Sequence, residues 1–435
     1  MKRIFLPILG LVLACSACQK DSTTEFVSTA DVYRFWEAYD QIVASDDTSN
    51  QRTLLRSLYL DPGSPGLNAL RERRGYTEDV YLEAIRSYPQ FWASVRKNTL
   101  RSSELAGGID AGVAKFKDLY PAMTPAQVYF TIGALYTGGT TLDSLVLIGA
   151  ELAMADSSVV TSELPERLGE NLSRFFETNP INDVVLLNVH EFVHTQQNSN
   201  GYDLLSQCLY EGVAEFVSVL ALETGSAVPA VEYGQRNAEL VRTAFAKQAG
   251  SPHWNDWLYN DFSNDFGVRD LGYYVGYAMC ESYYDQAEDK QAAIAHMIEL
   301  DFTDTAEVET FINESGYFDE PVDSLKADFE RNRPYVTGIR EIPAGSMESV
   351  DPGLTQLTVD FSVPMSTRFR NQRYGPLGAE GVLPVRSLQF SPDKQSIVIG
   401  VDLEPGQRYQ LQLTDQYRSL DGRVMQPYLI DIRTR

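Results

Sequence analysis

The stretch that decides the reading runs Val184-Val-Leu-Leu-Asn-Val-His190-Glu191-Phe-Val-His194-Thr-Gln-Gln197, then, after a short connection, Leu209-Tyr210-Glu211-Gly212-Val213-Ala214-Glu215-Phe216. His190 and His194 are four apart, so on a helix both imidazoles share a face and can grip one metal ion. Glu191 falls between them, beside the open metal position, where a general base for a water is wanted. A catalytic zinc site takes three protein ligands and leaves the fourth place for water. Glu211, expected to open a second amphipathic helix that folds back on the first, is the natural third. The chain has only four His, and two are spent here. A buried helix whose histidines satisfy backbone groups is the plain alternative, but an apolar run ending in two His and a Glu is costly to bury without a metal or partners. The expectation is Zn2+ on His190, His194 and Glu211, with Glu191 as general base, acting on a peptide or protein substrate.

The pairing of HExxH with Glu211-Gly-x-Ala-Glu-aromatic resembles the gluzincin class of zinc metallopeptidases, where a similar helix supplies the third ligand. The layout over residues 120–330 resembles more closely a family of predicted zinc-dependent proteases and the related gliding-motility lipoproteins of Bacteroidetes. The resemblance implies His190, His194 and Glu211 as ligands and Glu191 as base. No GxMEN-type segment precedes the motif, so aminopeptidase specificity is not implied. A surface lipoprotein that keeps such a fold as a non-catalytic scaffold or binding component is the rival reading.

The chain begins Met1-Lys2-Arg3, continues with an apolar run from Ile4 to Ala14 and reaches Ala14-Cys15-Ser16-Ala17-Cys18. A positive start, a short apolar segment and small residues make a secretory signal over residues 1–17. The cysteines resemble a bacterial lipobox. Cys18-Gln19-Lys20-Asp21 is similar to the surface-export signal of Bacteroidetes lipoproteins, which favours Cys18 over Cys15 as the lipidated residue. An anchored protein at the outer membrane or cell surface is expected, tethered by residues 18–30, with no later run able to span a bilayer.

With 60 acidic against 36 basic residues the net charge is -24, which excludes nucleic acid as a partner and argues against direct adsorption to anionic lipid. Cys208 and Cys280 are then the remaining thiols. An exported compartment permits a disulfide, and two buried free thiols fit equally well.

The expected fold is α+β and multidomain: a mostly helical, zincin-like catalytic region with a small β-sheet over residues 31–333, then an all-β, Ig-like sandwich over 334–435. Periodic aromatics such as Phe35, Trp36, Tyr39, Tyr81, Phe91 and Trp92 point to helices from Asp31 to about Lys117. Short β-rich runs at 128–133 and 145–149 flank Gly138-Gly139-Thr140-Thr141. An edge strand there would suit a peptide substrate, since main-chain hydrogen bonds bind any sequence. Asn179-Pro180 ends the segment before the active-site helix, Asn182 or Asp183 is its cap, and Gln197 its end. Glu215, four after Glu211, is placed to orient a histidine or to be solvated. Gly272 and Gly276 share a helical face. Tyr273 and Tyr277, named as catalytic candidates with Arg269 and His253 as alternatives, could stabilise an oxyanion. After Pro334, runs at 335–339, 357–361, 388–390, 396–401, 409–413 and 428–432 argue a sandwich, and Phe361-Ser-Val-Pro-Met365 resembles a strand of bacterial Ig-like domains.

Overall fold

The aromatic stripes near the start of the chain become helix cores. The computed structural model describes residues 24–260, 264–343 and 345–435, so the signal segment, Cys15 and Cys18 lie outside the described residues. Helices Ala30–Val43, Thr48–Leu55, Pro65–Arg74, Glu78–Ser87, Pro89–Thr99 and Ser102–Leu119 follow one another, with a π-helical turn at Arg56–Leu60. Local chemistry sets their ends. Ser64 and Thr77 accept from the backbone N–H of Leu67 and Val80, and Gly75, at φ 67°, closes the helix that Pro65 starts. Phe35, Trp36, Tyr39 and Trp92 are buried against one another with ring centroids 5.0–6.3 Å apart. The two indoles find partners in Thr99 Oγ1 and Ala84 O. These rings are core.

Packing divides the chain into two units. Of the described residues, one unit holds those up to Tyr202 together with those of Ser206–Asn237 and Asp256–Tyr317; the other holds those of Asp203–Leu205, Ala238–Asn255 and Phe318–Arg435. The architecture is α+β, helices leading and antiparallel sheets closing the chain.

A four-stranded sheet lies within the first unit: β1 (Val27–Ser28), β2 (Gln127–Thr131), β3 (Gly139–Leu142) and β4 (Leu145–Gly149), in the order β1-β2-β4-β3. Val27 and Ser28, expected in the tether, are therefore built into the sheet beside Val128 and Tyr129. The two β-rich runs, β2 and β4, are parallel, with Val128 opposite Val146. The hairpin is instead β3–β4, closed over Asp143-Ser144 with Asp143 at φ 51°. That arrangement forces the 132–138 connection to swing from the middle of the sheet to its edge. Buried Glu151 holds it there, accepting from the N–H groups of Gly133 and Leu135 at 3.0 and 3.2 Å, while Tyr59 hydroxyl accepts from Ile132 N at 3.0 Å.

The second unit contains helices Ala238–Ala246 and Val322–Asn332 and then the strands β5 (Val336–Ile339), β6 (Gln356–Phe361), β7 (Gln372–Arg373), β8 (Val385–Phe390), β9 (Ser396–Val401), β10 (Arg408–Leu413) and β11 (Tyr428–Arg433). They pair as two antiparallel sheets, β5-β6-β9-β8 and β11-β10-β7. Alternate residues such as Leu357, Val359, Phe361, Ile397, Ile399, Leu411 and Ile430 are buried in one core, as period-2 alternation requires.

Two close helix crossings position the histidines and Glu211. On helix Ser102–Leu119, Gly108 and Gly112 present a bare face to Val185 and Val189 of helix Val184–His194. Phe192 packs edge-on to Phe26 and Phe116. Helix Leu204–Leu222 meets helix Leu271–Gln286 at Gly212 and Gly276: a Cβ on Gly276 would stand 1.8 Å from Cys208 O, and one on Gly212 2.1 Å from the Gly276 carbonyl carbon. Cys208 and Cys280 are buried free thiols. Helix Leu204–Leu222 does meet the length and hydropathy of a membrane span, contrary to expectation, but 89% of its apolar window is buried within the protein.

Gly276→Ala is expected to lower stability by about 3 kcal/mol or more, because backbone rather than a flexible side chain must retreat; a urea midpoint within error of wild type would contradict this. A second expectation concerns Glu151. Burial pushes its carboxyl from 4.5 up to about 7, against the pull of the backbone N–H groups. Its folded value lies above the unfolded one, so this contribution is full below about pH 4.5 and disappears as pH rises through about 7. Glu151→Gln does not titrate, so the stability difference, wild type minus variant, should fall by on the order of 3 kcal/mol between pH 4.5 and 8. Denaturant midpoints across that range read it directly.

Candidate metal centre

Helix Val184–His194 carries an apolar face of Val184, Leu186, Val189, Phe192 and Val193 into the core, and this burial draws His190 and His194 down with it. Its start is not capped as expected: Asp183 occupies the N-cap position without a side-chain hydrogen bond, because a 3-10 turn, Pro180–Asp183, runs straight into it. It also ends at His194 rather than Gln197. Glu211 lies two turns inside helix Leu204–Leu222 rather than at its start, since the apolar run from Leu204 extends the helix backwards.

His190, His194 and Glu211 converge, all buried. His190 Nε2 and His194 Nε2 are 3.1 Å apart, and Glu211 Oε2 stands 3.5 and 3.3 Å from them. Donors held about 2.0–2.1 Å from a metal in tetrahedral geometry stand about 3.3–3.4 Å apart, which is this triangle. The group can hold a metal ion.

The tautomers follow from the surroundings. Gln197 Nε2 donates to Tyr210 O at 3.0 Å, which turns its Oε1 towards His194 Nδ1 at 2.6 Å. His194 Nδ1 must then donate and Nε2 keeps its lone pair. Glu215 Oε2 accepts from His190 Nδ1 at 2.9 Å in the same way, and Ser226 hydroxyl donates to Glu215 Oε1. Glu215 is thus the outer carboxylate that its spacing from Glu211 allows. With both imidazoles neutral, three acceptors therefore face one another with no donor among them, an arrangement that a proton or a metal ion relieves. Burial pulls the His190 imidazole down, but the Glu211 and Glu215 carboxylates override it and push His190 up to about 10. Burial works against the Glu211 charge, yet both histidines hold its carboxyl well below the usual range. A proton and a metal ion compete for such a place.

Glu191 lies against β3: a Cβ on Gly139 would be 3.2 Å from its Oε1. Burial raises its carboxyl, and His194 and His190 oppose the rise. Tyr273 sits at the cluster, its ring 6.1 Å from His190 and 6.4 Å from Tyr259, and burial together with the Glu211 charge raises its hydroxyl well above the usual range. Tyr277 does not join it; its ring packs on Phe216 at 5.4 Å. Arg269 pairs with Asp270, and His253, within the second unit, with Asp415.

Three partners lie beyond the sequence reading, and two of them, Tyr259 and Tyr210, carry no signal there. Tyr259 hydroxyl donates to Glu211 Oε1 at 2.6 Å, from a residue at φ 54°, and so leaves Oε2 for the metal position. Tyr210 stacks on His194 at 4.5 Å and 14°. Gln197 has the right offset from His194, three residues, which could have suggested it on a continuing helix.

No protein-family profile matches the chain, and no curated protein does. Among solved structures a match covers 94% of this chain and 45% of the S-layer protein rSbsC(31-844), at 11% identity and a TM-score of 0.19, too low to bear on fold or function.

Glu215→Gln should weaken metal binding about 10–100-fold and Tyr259→Phe about tenfold, since both act on the orientation and charge of a ligand rather than supplying one. Competition with a chromophoric chelator measures both; unchanged affinities would remove them from the centre.

Proposed function

We propose that this protein is a zinc-dependent metallopeptidase. The observation that carries the reading is the buried triangle of three acceptor atoms, at 3.1, 3.3 and 3.5 Å, with the Glu191 carboxylate close to it against β3. Two imidazoles and a carboxylate suit zinc, and a three-ligand set leaves a position open, as catalytic rather than structural zinc sites do. A zinc ion held there supplies Lewis-acid chemistry, drawing electron density from a water and from the scissile carbonyl.

The protein's own groups do the rest. Glu191 accepts the proton of the attacking water and returns it to the leaving amine; burial raises its carboxyl, which suits a group that must take up and release a proton. Tyr273, with its hydroxyl beside Glu211, is placed to donate to the developing oxyanion. β3 is one edge of its sheet among the described residues, and an extended peptide adding to that edge would run past Glu191. The helical site with its small edge-stranded sheet supports a zincin-like domain of the gluzincin type. The paired antiparallel sheets and Phe361-Ser-Val-Pro-Met365 support an Ig-like module after it. The signal-like start and Cys18 support an exported, lipid-anchored chain at the outer membrane or cell surface.

Purified protein is expected to hold near-stoichiometric zinc, lost in His194→Ala and Glu211→Ala. Glu191→Gln should keep its zinc while peptide hydrolysis falls by about 10²–10⁴-fold, and chelation should abolish turnover until zinc is returned. Zinc bound with no turnover on any peptide substrate would leave a metal-holding scaffold instead.

A further inference from the structure

Helix Pro65–Arg74 stops at Gly75, leaving Arg74 exposed at its last turn. Arg74 Nη2 donates to Thr137 Oγ1 at 3.1 Å, and Thr137 Oγ1 donates to Gly139 O at 2.9 Å. Gly139 is the β3 residue against which Glu191 lies. Through Thr137 the guanidinium is thus tied to the β3 residue against which the proposed base lies, close enough for its charge to act on Glu191. Arg52, Arg56 and Arg96 each pair with a carboxylate. Among the described residues Arg74 has none within ion-pair distance.

The candidate centre gathers Glu191, Glu211 and Glu215, all of which repel an anion. A single Arg at its wall reverses that sign locally. One of its N–H groups is committed to Thr137, which fixes the guanidinium plane, and the others remain to form the fork that carboxylates accept. Tyr136, 67% exposed and stacked on Tyr76 at 5.7 Å, adds an aromatic surface from the same connection.

We infer that Arg74 is a specificity-determining residue that binds a carboxylate of the peptide substrate, an acidic side chain or a free chain end, beside the bond held at the metal. The inference rests on the peptidase reading and names the substrate class for that site.

Three short peptides of one neutral sequence test it: one amidated, one with a free carboxyl end, and one amidated with a Glu beside the central bond. Binding to zinc-loaded Glu191→Gln protein is measured by calorimetry, and cleavage by wild type is followed alongside. At least one carboxylate peptide should bind tenfold or more tightly than the neutral one, and which of the two gains identifies the source. Adding Arg74→Ala should erase that preference at unchanged zinc content and unchanged affinity for the neutral peptide; Arg74→Lys should keep part of it. Equal binding of all three peptides, absence of binding included, overturns the inference, as does a preference that survives Arg74→Ala. A preference that depends on Arg74 without any cleavage by wild type overturns the peptidase reading and leaves the carboxylate site standing.

Discussion

Three acceptor atoms meet in a buried place with no donor between them, and the rest of the first unit is arranged around that fact. His190 Nε2, His194 Nε2 and Glu211 Oε2 stand 3.1–3.5 Å apart. Left bare, they repel; a cation turns the same geometry into attraction. Everything touching them keeps them bare and fixed. Glu215 and Gln197 take up the Nδ1 protons, and Tyr259 occupies the other Glu211 oxygen. Each partner removes one alternative, a flipped ring or a rotated carboxylate, that would quench the site without a metal.

Holding charged groups in such a place needs a rigid frame, and glycine provides it. The Gly212–Gly276 crossing brings two helix backbones into contact, and Gly108 and Gly112 do the same for the histidine helix. Side chains of ordinary size at these points would separate the helices by an ångström or more, and a ligand triangle tolerates little of that. Glu211 and Gly212 are neighbours for this reason: the ligand is carried on the residue next to the closest approach. The geometry of packing and the chemistry of the centre are one constraint.

How much of this is legible in the sequence varies with the range of the interaction. The two histidines and Glu191 are legible because helical periodicity is local, and Glu211 because its helix repeats the pattern. Glu215 is legible for the same reason. Helix limits are less so: Asp183 has a capping side chain that is not used, because the preceding 3-10 turn already satisfies the geometry. The parallel pairing of β2 with β4 depends on Glu151 tying back Gly133 and Leu135, a long-range contact that no alternation pattern encodes. Tyr259 reaches Glu211 from a left-handed residue in a loop, where neither period nor composition points. Tyr273 and Tyr277 look alike in sequence. A single helical turn separates the one beside Glu211 from the one packed on Phe216.

All three ligand residues lie on one helix–turn–helix, whereas β3, Tyr259 and Tyr273 come from distant parts of the chain. Closing a loop of about twenty residues costs about 1 kcal/mol less entropy than closing one of fifty or sixty. The grip on the ion can thus form from one continuous piece of chain, ahead of the walls that surround it. Loading and enclosure are separable in time. A folding chain can therefore take up a metal ion while the centre is still open to solvent, and the later arrival of the sheet edge and the tyrosines then shuts it in.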